Sequence, residues 1–422
     1  MGFKCGDISS LSPTRELTLD RSRPASLALV WIAATDDVEP FVGRESTAVI
    51  TTPIGIAVVG FGYWGPNIVR NIAERPEFRL MGLCERDAAR AAEFSRRYPG
   101  CPLEHDLDAL LLDPRVQAVS IATPPRTHYD LARRALEAGK HVMVEKPLAT
   151  STVHAEELIE IAAEADRVLM PGHTFVYSPP VNKVRELIQS GELGDVYFIT
   201  SSRMNLGLYQ ADGVISDLAP HDLSILLYWL DRPVTHIAVA GLSVFQDGVL
   251  EIAFLTVTFS GGTAANVQIS WLAPRKMRQM VVVGSKRMVQ YEDTSSDESV
   301  RIYDRGLDVS TAEAPATFGE YQLTYRSGDI VVPRIEAGEP LGLELADFAH
   351  AIRTGEVPRS NSALGLEVVR ALEAAHLSME RAGDPIELAP DKGATYGEDA
   401  SLSVPGSRGA RVSGGVPTTA GV

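Results

Sequence analysis

Cysteine is scarce. The chain has three in 422 residues, Cys5, Cys84 and Cys101. Their spacing fits neither a disulfide framework nor a metal-binding pair, so no metal site is expected, and an odd, sparse count suits a reducing cytoplasm. No apolar run reaches the roughly 18 residues needed to cross a bilayer. Excess positive charge is also missing: the formal net charge is −16, which argues against nucleic acid or an anionic membrane as a partner. No internal repeat is apparent. What remains is 45% hydrophobic and 22% charged residues, ordinary for a soluble enzyme and enough for at least two cores.

Residues 1–51 form an N-terminal extension with no assignable role. Its short apolar run, Ser26 to Ala34, follows Arg21 and Arg23 and faintly imitates a signal peptide. Glu16 and Asp20 interrupt the basic residues and Asp36 and Asp37 follow at once, which favours a non-secreted protein. Residues 389–422 are rich in Gly, Ser, Thr and Pro and are expected to be disordered.

The informative stretch begins at Ile54. A short β-branched run reads as a buried parallel strand, and Gly60, Gly62 and Gly65 follow with G-x-G-x-x-G spacing around Tyr63 and Trp64. A helix pattern then opens with Pro66 in its first turn. In a dinucleotide site the first glycine makes the turn, the second admits a pyrophosphate, and the third lets the helix pack close to the strand. The next strand ends at Glu85, 20 positions past Gly65. A carboxylate there can take both ribose hydroxyls of NAD, while Arg86 leaves room for NADP. NAD is therefore the expected cofactor, with NADP second.

Strand and helix patterns alternate through Met170, so residues 52–172 are expected to form an α/β, doubly wound parallel sheet of the Rossmann type. Thr123, Pro124, His128, Glu145 and Lys146 fall at the carboxyl ends of its strands, where ligands sit. From residue 173 the pattern changes. Two helical stretches are followed by strand-like runs joined by hairpin turns, which reads as an α+β domain, 173–388, with a large, mainly antiparallel open sheet. One face of that sheet would be covered by helices and the other by a partner subunit, so a homo-oligomer, dimer or tetramer, is expected.

Three clusters carry chemistry. Lys146 ends a buried strand beside the expected nicotinamide and could hold or exchange a hydroxyl proton; the plain alternative is a solvated lysine in a turn. Asp217 and His221 are four apart, one above the other on a helix, with Pro220 suggesting the first turn. Imidazole titrates where a general base must, and the aspartate could orient it; a helix cap and a satisfied histidine would look the same. Arg203 and Asn205 share a strand face and could grip a phosphate or carboxylate and a sugar hydroxyl, unless that face is simply exposed sheet. His173 and Tyr177 lie at the junction of the two patterns and could line the same cleft, although Tyr177 could equally be core.

Gly60 to Gly65, Thr123-Pro124-x-x-x-His128, Ala138-Gly139-Lys140-His141-Val142, Glu145-Lys146-Pro147 and Asp217-x-x-x-His221 occur in this order. In that series the chain resembles the Gfo/Idh/MocA family of sugar and cyclitol oxidoreductases, across about 52–388. The resemblance implies that Lys146, Asp217 and His221 form the catalytic group, and that the second domain carries the substrate site and the oligomer interface. Gly62 to Asn67, Gly172 to Tyr177, Arg203 to Gly207, Asp217 to Asp222 and Tyr325 to Asp329 further resemble the subgroup acting at C3 of UDP-N-acetylglucosamine-type nucleotide sugars. There, residues like Tyr177, Arg203 and Asn205 face the sugar nucleotide. Glu85 stands where the family commonly has aspartate. The expected activity is hydride transfer between a nicotinamide and a secondary hydroxyl or keto carbon of a sugar. An inositol-type or aminocyclitol dehydrogenase, an NADPH-dependent ketoreductase and a non-catalytic dinucleotide-binding regulator are the alternatives.

Overall fold

The computed structural model describes residues 52–207, 210, 212–308 and 324–388. The expected N-terminal extension and C-terminal tail lie outside the described residues. Among the described residues no helix is long and apolar enough to cross a membrane.

The first part alternates strand and helix as the apolar pattern requires: β1 (Ile54–Val59), α1 (Gly65–Glu74), β2 (Phe78–Cys84), α2 (Ala88–Arg97), β3 (Leu103–Glu104), α3 (Leu107–Leu111), β4 (Ala118–Ile121), α4 (His128–Glu137), β5 (His141–Glu145), α5 (Thr152–Glu164) and β6 (Leu169–Gly172). The six strands order as β3-β2-β1-β4-β5-β6, and every pair is parallel. Strand order reverses between β1 and β4, which opens a crevice above their carboxyl ends. Every residue of β1 and of β4 is buried, as a sheet covered on both faces demands.

The second part runs α6 (Pro179–Gln189), β7 (Val196–Met204), α7 (Gly213–Leu230), β8 (Val234–Leu242), β9 (Ile252–Phe259), β10 (Ala264–Ser270), β11 (Met277–Gly284), β12 (Met288–Glu292), β13 (Val300–Asp308), β14 (Thr324–Val331), α8 (Pro340–Thr354), α9 (Ser362–Glu380) and β15 (Ile386–Glu387). Its nine strands order as β14-β13-β12-β11-β7-β10-β9-β8-β15. All neighbours are antiparallel except β7 and β10. Residues of α6, α7 and α9 share one core with the inward side chains of this sheet. On the other face, among the described residues, Phe198, Leu242 and Phe254 point outward and are exposed.

The last two long helices return to the first sheet. Leu341, Leu345 and Phe348 of α8 pack with Ile54, Ile56 and Val58, and Leu366 and Val369 of α9 join the core on the opposite face. Helix α9 packs in the core of both sheets.

Three strands were not expected. β3 and β15 have two residues each, too few to show a period. β14 contains Ser327-Gly328-Asp329, which reads as a turn, yet it pairs with β13 across an irregular register. Strand β8 stops at Leu242 although the apolar run continues to Phe245. There the Glu251 carboxylate accepts the N–H groups of Val244, Phe245 and Gln246, which turns the backbone away from the ladder.

Candidate active site

At the turn after β1, Gly60 takes a left-handed φ of +95°, and a Cβ there would lie 2.6 Å from the Ala122 carbonyl. A Cβ on Gly65 would lie 2.4 Å from the Gly60 carbonyl, so α1 can approach β1 only with glycine at that position. Gly62 is open: within 4 Å of its would-be Cβ lies only the Arg90 guanidinium. Helix α1 begins without a side-chain cap, which leaves its N-terminus available to an anion. This cradle fits a pyrophosphate. Tyr63 is exposed and stacks on Trp64 at the rim.

Glu85 is at the end of β2 as expected, but its carboxylate does not reach outward. One oxygen accepts the Phe61 N–H at 2.7 Å and the other the Asp87 N–H at 2.8 Å. The group is buried against the glycine turn, while Arg86 is exposed. Thr123 and Pro124 lie on the loop after β4, Thr123 accepting the Thr127 hydroxyl at 2.7 Å. His128 differs from the expectation of a cofactor contact. Its ring is fully buried, with one nitrogen 2.8 Å from the Pro147 carbonyl and the other 2.8 Å from the Thr123 carbonyl. It ties the two ligand-side loops together instead.

Lys146 follows β5 and reaches across to α7. Its Nζ donates to the Asp217 carbonyl at 2.7 Å and lies 3.5 Å from an Asp217 carboxylate oxygen. Helix α7 begins at Gly213, so Pro220 sits inside it rather than in its first turn. A proline there has no N–H to give and crowds the preceding turn, and the carbonyl that Lys146 takes lies in that turn. Burial lowers the Lys146 pKa, with the Asp217 and Glu145 charges opposing. Glu145 is itself pushed up to about 7 by burial, against the pull of Lys146.

Asp217 does not orient His221 as expected. Its carboxylate takes Gln210 at 3.1 Å and the Trp271 indole N–H at 3.0 Å, besides facing Lys146. The imidazole of His221 has no side-chain hydrogen bond among the described residues. It stands edge-on to Phe175, ring centres 5.1 Å apart. Burial, then the charges of Lys146, Arg203 and Arg278, hold it well below the usual histidine range, so it is neutral and able to accept a proton. His173 is close by and fully buried, with both ring nitrogens unpartnered. Burial and then the Lys146 charge bring it down to about 3.

Two substrate expectations change. Arg203 is buried and spent on Asp222: its Nε donates at 2.8 Å and Nη2 at 3.2 Å, and Ser201 shares the same carboxylate at 2.9 Å. One nitrogen, Nη1, remains buried and without a partner. Tyr177 is core. Its hydroxyl donates to Asp347 at 2.8 Å and accepts the Ser360 N–H at 3.0 Å, joining the chain after β6 to α8. Asn205 stays near the cleft, its side-chain oxygen buried and unpartnered. Four contributors were not anticipated. Gln210 and Trp271 hold Asp217, and Phe175 lies under both Arg203, at 4.5 Å, and Arg278, at 5.3 Å. Arg278 pairs across strands with Arg203 and forms an ion pair with Asp293 at 2.8 Å. Nothing local in the sequence marked Trp271 as a carboxylate partner.

Residues 54–173 match the model of an oxidoreductase family with an NAD-binding Rossmann fold, and residues 181–290 match the C-terminal domain model of the same family. The chain belongs to the Gfo/Idh/MocA oxidoreductase family. Among family relatives, the UDP-N-acetylglucosamine 3-dehydrogenase of Acidithiobacillus ferrooxidans is 29% identical over 255 residues, covering 59% of this chain and 76% of that protein. A solved structure of the same enzyme superposes with a TM-score of 0.65 at 26% identity, covering 77% of this chain and 96% of that one. An oxidoreductase of Synechocystis is 31% identical over 202 residues, 45% of this chain and 54% of that protein, so this match spans about half the relative's length. The two-domain Gfo/Idh/MocA architecture accounts for both sheets.

Proposed function

We propose that this family member is an NAD(P)-dependent dehydrogenase acting on a secondary hydroxyl of a sugar, with C3 of a nucleotide sugar as the favoured position. The observation that carries the reading is the 2.7 Å contact from Lys146 to α7, which draws the end of the dinucleotide sheet and His221 to one place. Among relatives it is supported by the Acidithiobacillus enzyme, a UDP-N-acetylglucosamine 3-dehydrogenase.

A bound nicotinamide supplies the hydride acceptor or donor. The chain's own groups handle the proton. In the oxidative direction the hydroxyl proton passes to a neutral nitrogen as the C–H electron pair leaves, and the carbinol becomes a carbonyl. His221 is the base in this assignment and Lys146 polarises the oxygen; the two roles can exchange. A lowered pKa enlarges the neutral fraction of Lys146 at a given pH, and keeps His221 neutral while making it a weaker base. Asp217, fixed by Gln210 and Trp271, keeps the Lys146 ammonium on the substrate side.

Arg203 favours a second reading. With its fork held by Asp222, only one nitrogen is left for a substrate, which weakens the case for a phosphate grip and suits an inositol-type or aminocyclitol substrate that carries no phosphate. The outward apolar residues of the nine-stranded sheet support assembly into a homo-oligomer through that face. The functional test is to incubate the protein with NAD or NADP and a panel of UDP-sugars and free cyclitols, in both directions, following the reduced cofactor. Turnover of UDP-sugars alone supports the first reading, turnover of cyclitols alone supports the second, and no turnover with any member contradicts both.

A further inference from the structure

Two carboxyl groups meet near the end of β5, and each has a buried oxygen that no other group satisfies. Glu145 ends β5, next to Lys146 in the chain, and its Oε1 is buried without a partner among the described residues. It pairs in register with Gly172 of β6, and a Cβ on Gly172 would lie 3.5 Å from the Glu145 carboxyl carbon. The carboxyl group therefore lies along β6, where the chain enters the turn from His173 to Tyr177. Glu344 of α8 meets the same turn. Its Oε2 accepts the Thr174 hydroxyl at 2.7 Å, and its Oε1 is buried and again without a partner among the described residues. The Glu145 charge acts on Glu344 more strongly than that of Asp347, three residues away on the same helix. Asp347 is taken by the Tyr177 hydroxyl and the Arg359 N–H, both at 2.8 Å. On α1, which also packs on α8, Arg70 and Asn71 bond to Glu339 instead. His173 is held neutral by burial. Among the described residues no cation forms an ion pair with Glu344. Two carboxylates that interact in a dry site do not both ionise. Glu344 is the one left as an acid, because it is fully buried while Glu145 adjoins the Lys146 charge.

We propose that Glu344 is a positioning residue for Lys146: its protonated carboxyl donates to Glu145, so that the two groups hold one proton and one negative charge beside the lysine. One hydrogen bond of this kind satisfies both orphaned oxygens at once. The Glu145 charge kept in this way raises the Lys146 pKa against the effect of burial. The role rests on Lys146 acting in the reaction, as proposed above, and is independent of which sugar is oxidised.

The shared proton is tested without a substrate. Infrared spectra of the full chain at about pH 8, where exposed carboxyl groups are ionised, should show the carbonyl stretch of a protonated carboxylic acid in the native chain and not in Glu344→Gln. The role in the reaction is tested by the pH profile of kcat with a turned-over sugar, with dinucleotide binding followed by calorimetry. Glu344→Leu has no proton to donate, so Glu145 takes one up more readily and its charge on Lys146 weakens. The limb of the profile set by Lys146 should then move down by about one pH unit, with dinucleotide affinity unchanged. Glu344→Met serves as a second variant without a donor. Glu344→Gln keeps an N–H donor and should return the limb to its native position. An acid band absent from the native chain, or unchanged in Glu344→Gln, overturns the shared proton and leaves the functional reading standing. Profiles of the Leu and Met variants that superpose on the native one overturn the positioning role. Absence of turnover with every sugar and cyclitol overturns the functional reading, and the positioning role with it, whatever the infrared result.

Discussion

The two sheets solve the same problem differently. The six-stranded sheet is covered on both faces, and its central strands are buried at every position. It leaves only strand ends for function, and there the glycine turn, Thr123, Glu145 and Lys146 collect. The nine-stranded sheet is covered on one face only. Its inner layer doubles as core and as site wall, so Ser201 and Arg203 sit in the same rows as Ile199 and Met280. Its outer face keeps apolar residues that its own helices do not cover. The first sheet thus separates packing from chemistry, and the second mixes them. Substitutions should therefore behave differently in the two.

The largest effect is expected where chemistry is built into the core. Asp222→Ala leaves Arg203 buried and unpaired, which should cost about 3–5 kcal/mol by denaturant unfolding. A loss under about 1 kcal/mol would show that the arginine finds water or another partner, and that the inner layer is less dry than described. In the first sheet the sensitive positions are backbone approaches. Gly65→Ala puts a Cβ against the Gly60 carbonyl and should cost about 2–3 kcal/mol, with dinucleotide binding weakened in parallel. Unchanged stability would mean that α1 is free to retreat from β1.

Glu344, on α8, is fully buried, with one carboxylate oxygen unpartnered. Burial, then the charge of Glu145, hold its pKa well above the usual carboxylate range. A raised folded pKa means stability that is complete below the unfolded pKa of about 4.5 and is lost as pH rises toward the folded value. Glu344→Gln removes this titration, so its stability relative to the native chain should rise between pH 4.5 and pH 8, by on the order of 1 kcal/mol. A gain that is flat with pH would contradict the burial account. The smallest effect is expected on the outer face: Phe254→Ser should change unfolding stability by less than about 0.5 kcal/mol while lowering the oligomeric mass seen by light scattering. An unchanged mass would remove this face as the interface.

Much of the architecture was legible because both sheets follow simple periods. The continuous apolar runs of β1 and β4 and the alternation of Ala253, Leu255, Val257 and Phe259 in β9 announce burial on two faces and on one. The glycine spacing announced the turn because sterics leave few residue types there. Partnerships were less legible. Glu85 and Arg203 were read as ligand-facing from type and position, but each was taken by a neighbour that sequence order does not reveal: two backbone amides in one case, Asp222 in the other. His128 and Tyr177 turned inward for the same reason, since a buried polar group must find a partner and the protein supplied one. Asp217 to His221 had the right helical spacing, yet the aspartate was claimed by Lys146, Gln210 and Trp271 from three other segments. Spacing within an element fixes which side chains are neighbours, not which of several neighbours wins.

The central claim is that Lys146 and α7 act at one carbon beside the nicotinamide. The direct measurement is the rate of reduced-cofactor formation with a turned-over sugar, comparing the native chain with Lys146→Ala while dinucleotide binding is followed by calorimetry. The account predicts a rate lower by about 10²–10⁴-fold in a protein whose dinucleotide titration still saturates. A rate within tenfold of the native chain would contradict it.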